Sequence, residues 1–113
     1  MQINECFFSG NVGKDIELKY NENGTVIGTF SLALTTSKKV NGEWENKTIW
    51  LKITVWNKLA EKLENKIKKG DYVLVKGNLL EDSWVNNDGE DKKQLSLNCN
   101  QVEHLVKPQK TEA

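Results

Sequence analysis

An all-β domain carrying a single helix is the fold this 113-residue chain predicts. Three observations point that way. Asn23-Gly24, Asn41-Gly42 and Asp88-Gly89 each separate β-rich runs, and such dipeptides accept the positive φ of a tight hairpin turn. Thr48 to Trp56 alternates between aliphatic and polar or aromatic residues, the period of a strand with two unlike faces. One segment, Lys58 to Lys69, carries Leu59, Leu63 and Ile67 at a spacing of four, a helical stripe. The order is then β-β-β-α-β-β. A helix between the third and fourth long strands is the pattern of an OB-fold, a five-stranded Greek-key barrel.

The elements follow in order. Ile3 to Val12 is the first strand, and Glu17 to Tyr20 a short extension running into the first turn. Thr25 to Ser37 is the second long strand. Val26, Phe30, Leu32 and Leu34 lie on one face, and the small, mostly hydroxylated Thr29, Ser31, Ala33 and Thr35 on the other. Thr48 to Trp56 is the third. The helix follows, with Asn57 as its N-cap and Gly70 as its stop. Glu64 and Lys68 stand four apart, a spacing that supports an ion pair. Tyr72 to Leu80 and Gln94 to Val102 complete the barrel. Residues 1–106 read as one domain, and 107–113 as a frayed end.

Composition narrows the function. Sixteen basic residues balance sixteen acidic ones, and every basic residue is lysine. A globally basic nucleic-acid binder is excluded, so any such role must rest on local patches. A charged fraction of 28% beside 37% hydrophobic residues describes a globule rather than a disordered chain. No apolar run reaches the roughly 20 residues that span a bilayer. The acidic N-terminus reads as neither signal nor transit peptide, which makes a cytoplasmic, nucleoid-associated protein (host cytoplasm for a phage protein) the expectation. Cys6 and Cys99 lack metal-type spacing and read as small apolar strand residues more than as a disulfide. His104 is the only histidine, and no metalloprotease, deaminase or P-loop motif is present. The expectation is no catalytic residue, no metal and no cofactor.

The third long strand carries the most chemistry. Ile49, Leu51, Ile53 and Val55 suit a core. The opposite face shows Trp50, Lys52, Thr54 and Trp56, two tryptophans with a lysine between them. Flat rings stack on unstacked bases of any sequence, and a lysine meets phosphate without reading sequence. The same face equally fits burial under a loop or in a subunit interface. Lys38 and Lys39, at the base of the Asn41-Gly42 turn, extend the candidate track, and Trp84 is a further platform. Trp44, two residues past that turn, is either a nucleic-acid contact or a packed hairpin residue. The helix lysines Lys62, Lys66, Lys68 and Lys69 read as a solvated face.

Beyond these patterns, the chain resembles the bacterial-type single-stranded DNA-binding proteins from Ile3 to about Leu105. The resemblance rests on an ordered series. It begins with Gly10-Asn11-Val12-Gly13-Lys14-Asp15-Ile16-Glu17-Leu18-Lys19-Tyr20 and Asn23-Gly24-Thr25. Phe30-Ser31-Leu32-Ala33 follows, then Gly42-Glu43 leading to Trp50. Trp56-Asn57-Lys58-Leu59-Ala60-Glu61, Lys68-Lys69-Gly70-Asp71, Lys76-Gly77 and Trp84 complete it.

The resemblance implies an OB-fold that binds single-stranded DNA without sequence preference, as a homotetramer or otherwise as a dimer. It also implies stacking at Trp50, Trp56 and Trp84. Lys38, Lys39, Lys52 and Lys76 would contact phosphate. Four departures stand out. Leu80-Glu81-Asp82-Ser83 replaces a basic run, Lys38 lies where an aromatic is common, and Leu51 stands where a histidine often follows the tryptophan. The acidic, apolar-tipped tail that recruits protein partners has no counterpart in this sequence. The rival expectations are an accessory OB protein of replication restart acting through protein partners, and an RNA-binding OB module.

Overall fold

The computed structural model describes residues 1–105; the expected frayed end at 107–113 lies outside them. Six strands and one helix run in the order β1 (Cys6–Val12), β2 (Glu17–Tyr20), β3 (Val26–Val40), β4 (Glu43–Trp56), α1 (Asn57–Lys66), β5 (Tyr72–Val85) and β6 (Asp91–His104). The sheet order is β1-β5-β6-β4-β3-β2, and a further β1–β3 pairing closes five of the strands into a barrel. β2 is the short extension, paired only with β3. All pairings are antiparallel except β4–β6, a parallel contact of three residue pairs from Lys52↔Ser96 to Thr54↔Asn98. The expected OB-fold is therefore present, with its helix between the third and fourth barrel strands in chain order.

Alternation explains how the barrel fills. Val26, Gly28, Phe30 and Leu32 of β3 point inward, as do Ile53 and Val55 of β4, Val73 and Val75 of β5, and Leu97 of β6. Ala60 and Leu63 from the helix join the same core, with Ile67 just beyond it. Each of the Val, Leu, Ile and Phe side chains among them contributes about 1.5–3 kcal/mol when fully buried. The three predicted turns are in place, with Gly24, Gly42 and Gly89 all at φ near +80°.

Element ends differ from the sequence reading for physical reasons. β1 begins at Cys6 rather than Ile3, because Asn4 pairs through its side chain instead of its backbone. Its carboxamide donates to Leu79 O and accepts from Leu79 N. Both long hairpins run further than expected. β3 and β4 pair out to Val40↔Glu43, and β5 and β6 out to Val85↔Asp91. These extensions have no buried face, hence no alternation to read.

The helix stops at Lys66, short of the expected Lys69, and Ile67 is already extended. Asn57 does not cap it. Asn57 sits at φ +53°, and its Oδ1 accepts from Val26 N. Gly70 lies beyond the helix in a turn, donating to Val12 O. Lys68 Nζ donates to the main-chain oxygen of Glu64, not to its carboxylate. Cys6 and Cys99 are both free. They flank Gly77 on the two neighbouring strands, about 10 Å apart at two strand spacings, too far for a disulfide. Burial pushes the Cys99 thiol up.

Candidate nucleic-acid interface

Strand register places most of the predicted site residues on one outer surface. On β4 the outward positions are Trp44, Asn46, Thr48, Trp50, Lys52, Thr54 and Trp56, since Ile53 and Val55 point inward. Their partners on β3 are Lys39, Ser37, Thr35, Ala33, Ser31, Thr29 and Ile27. Across the parallel contact, Asn98 of β6 continues this surface, with Ser96 on the same side of the strand but buried, and Leu80 and Asn78 of β5 follow. Further along the β5–β6 hairpin, Asp82 stands opposite Gln94 and Trp84 opposite Lys92. Side-chain bonds across the strands agree with this placement. Lys52 Nζ meets Asp82 Oδ2 at 3.3 Å, Trp56 Nε1 donates to Asn98 Oδ1 at 2.8 Å, and Asn98 Nδ2 donates to Asn78 Oδ1 at 3.3 Å.

All four tryptophans are open to solvent, with Trp44 70%, Trp50 60%, Trp84 47% and Trp56 42% exposed. That exposure leaves ring surface on each of them open for stacking. Trp50 and Trp56 are six residues apart on one strand, roughly 20 Å at ~3.4 Å per residue. They are separate platforms, not two jaws of one pocket. Each is held differently. Trp56 is anchored through its indole N–H to Asn98, whereas Trp50 lies over Gly13. A Cβ at Gly13 would stand 2.5 Å from Trp50 Cζ3, so only glycine leaves the ring its place.

The lysines divide. Lys52 is on the tryptophan face but already bound to Asp82. Lys39 is on that face, opposite Trp44, while Lys38 is on the reverse face, opposite Glu45. The two therefore do not form one track, because neighbours in a strand point to opposite sides. Lys76 lies on β5 beside β1, with Glu5 4.0 Å from its Nζ and the Phe7 ring centroid 5.5 Å away. It sits two residues before Asn78, at the edge of the surface.

Two lysines outside the expected site stand beside Trp50, and one of them, Lys69, was expected on a solvated helix face but lies past the end of the helix. Lys14 and Lys69 line a hollow with Gly13, Ser31 and Trp50. Lys14 also lines the next hollow, with Ser31, Lys52 and Gln94. They are brought there by a hydrogen bond between distant turns, Lys69 N to Asp15 Oδ1 at 2.7 Å. The sequence signal was the Gly13-Lys14-Asp15 turn itself, but nothing in it marks Lys69 as a neighbour. The Lys69 turn is fixed in its own right. Asp71 Oδ2 accepts from Lys68 N at 2.9 Å and lies 2.9 Å from His104 Nε2. The Lys68 amide, aided by His104, holds the Asp71 carboxyl below its usual range.

Among the described residues no cluster of three or more potential metal ligands occurs, and no helix is long and apolar enough to cross a membrane. The surface instead offers exposed aromatic rings, hydroxyls, carboxamides and a few cations, groups suited to binding an unstacked, anionic polymer.

Comparison with known proteins agrees with this surface. Residues 3–105 match the sequence model of the single-strand binding protein family. A single-stranded DNA-binding protein of Thermus aquaticus is 32% identical over 101 residues, 89% of this chain and 37% of that protein. One from Borreliella burgdorferi is 35% identical over 91 residues, 80% of this chain and 61% of that protein. The chain thus spans between about a third and three fifths of the length of these relatives. A solved structure described as a Plasmodium falciparum SSB complex with ssDNA superposes with a TM-score of 0.83 at 26% identity, covering 94% of this chain and 97% of that one. The chain belongs to the single-strand binding protein family.

Proposed function

We propose that this family member binds single-stranded DNA across the outer surface of β3, β4, β6 and β5, without reading its sequence. It thereby protects strands exposed during replication, recombination or repair. The observation that carries the reading is the register that sets exposed Trp50, Trp56 and Trp84 on one continuous face. Bases stack on those three rings, with Trp44 a further platform at the hairpin tip. Lys14, Lys39 and Lys69 meet phosphates. Lys52 and Lys76 take part when they leave their carboxylate partners, and Lys38, on the reverse face, joins only if the strand wraps the hairpin. No reaction is involved, in keeping with a family of binding proteins.

Stacking contributes roughly 1–3 kcal/mol per base, and duplex, whose bases are already stacked, gains none of it. Few free lysines give a shallow salt dependence. At a slope of about −0.7 per phosphate neutralised, two to four phosphates per subunit are expected. Titration with oligo-dT should quench tryptophan fluorescence at low salt and bind far more tightly than duplex of the same length. Absence of quenching, or equal affinity for duplex, overturns the reading. Oligo-U binding as tight as oligo-dT would turn it toward RNA.

The proposal extends to a homo-oligomer, a tetramer by the family resemblance. Phe7, Ile49, Val85 and Leu95 are large apolar side chains left exposed and lie outside the tryptophan face, which suits burial against further copies. Light scattering on the eluting peak gives the subunit number directly, and a monomer at micromolar concentration would remove this part.

A further inference from the structure

The tryptophan face carries a carboxylate where the proposed DNA path runs. Asp82 stands two residues before Trp84 on β5, and its Oδ2 lies 3.3 Å from Nζ of Lys52. Both side chains are a little under two-fifths exposed. Lys52 is the cation between Trp50 and Trp56, lining a hollow with Lys14, Ser31 and Gln94. To a lysine ammonium, a carboxylate oxygen and a phosphodiester oxygen are the same kind of partner, a charge-assisted acceptor. The two therefore compete for one cation.

We infer that Asp82 is a residue that sets affinity, holding Lys52 back from phosphate. This inference rests on the proposed binding of single-stranded DNA. A Lys52–Asp82 pair is neutral as a unit and neutralises no phosphate. While it stands, Lys52 makes no phosphate contact, and binding between Trp50 and Trp56 depends on the stacking rings and on Lys14 alongside. Removing the carboxylate converts Lys52 into a phosphate contact. Glu81, the adjacent residue, is the natural control. Its Oε1 lies 3.7 Å from Lys93 Nζ, and alternation puts it on the opposite face.

The test compares the wild-type chain, Asp82→Asn, Glu81→Gln, Lys52→Gln and the Lys52→Gln, Asp82→Asn double variant. Each is titrated with oligo-dT over a series of salt concentrations. Asp82→Asn should tighten binding on the order of two- to fivefold at low salt. Its slope of log K against log salt should steepen by about 0.7, one added phosphate. Glu81→Gln should change neither by as much. The gain from Asp82→Asn should disappear on the Lys52→Gln background. Asp82→Ser repeats the test with a smaller side chain, in case the amide disturbs the hairpin.

Wild-type affinity and slope in both Asp82 variants would overturn the inference while leaving the proposed function intact. So would an equal gain from Glu81→Gln, or a gain that survives the loss of Lys52, since either assigns the effect to net charge. Failure of the wild-type chain to bind oligo-dT at all would remove the proposed function itself, and the inference with it.

Discussion

The two ends of β4 belong to different environments. From Leu51 to Val55 the strand is a barrel wall, with Ile53 and Val55 at 0% exposure alternating with Lys52 and Thr54. From Glu43 to Trp50 every side chain is exposed, Ile49 at 47% included. One strand thus serves as core and as arm. The wall is held by burial, which is strong and non-directional. The arm is held by its ladder to β3, and such cross-strand pairs contribute only about 0.2–1 kcal/mol each. A segment that buries little loses little stability by displaying large rings to solvent. Trp44 and Trp50 sit on the arm, where display costs the fold least, while Trp56 stands at the far end of the wall itself.

This contrast is most easily broken in the wall. Ile53→Ala removes a fully buried side chain from the barrel and should lower unfolding free energy by about 2–5 kcal/mol, read by chemical denaturation. The same truncation at Ile49 should cost under about 1 kcal/mol. Equal losses at the two sites would mean that the arm is packed as tightly as the wall, against a second copy of the chain for instance.

The converse experiment leaves the wall intact. Trp50→Ala should weaken oligo-dT binding by about 1–3 kcal/mol with a melting temperature close to that of the parent. A large fall in melting temperature without loss of affinity would assign Trp50 to structure. A smaller effect separates the two anchored rings. Asn98→Ala removes the acceptor of the Trp56 indole N–H and should reduce affinity by about 1 kcal/mol. The quenching from Trp56 should become weaker while that from Trp50 is retained, as seen with each tryptophan replaced in turn by phenylalanine.

The smallest expected effect concerns pH. The Asp71 carboxyl is lowered from its ordinary value of 3.8, first by the Lys68 amide and then by His104. A carboxyl with a depressed pKa in the folded state stabilises at pH above its unfolded value. That contribution should be complete above about pH 4 and should disappear as the pH falls through the lower, folded-state value. Denaturation midpoints measured from pH 6 down to 2 should fall less steeply in Asp71→Asn than in the parent.

The wall was legible in the sequence and the arms were not, for one reason. Ile53 and Val55 alternate with Lys52 and Thr54 because one side is dry, and dryness leaves a period in the sequence. Glu43 to Lys47 and Glu81 to Val85 are wet on both sides, so no period marks them as strand. Trp50 and Trp56 could be placed on a common face by counting in twos. The same counting separates Lys38 from Lys39, although their adjacency suggests a pair. Lys14 beside Trp50, Lys69 beside both, and Asp82 against Lys52 depend on which distant turns and strands meet. That is fixed by barrel closure and has no local signature.

Closure itself has a consequence for how the chain reaches this state. β3–β4 and β5–β6 are hairpins whose partners are near in sequence. The parallel β4–β6 contact joins residues as remote as Lys52 and Ser96 through only three pairs. Such distant ends must be brought together before their contacts repay the lost chain freedom. The hairpins join partners near in sequence, and the joining of the two halves carries the larger cost in chain freedom. Trp50 and Trp56 lie on one half and Trp84 on the other, so the complete face exists only after that joining.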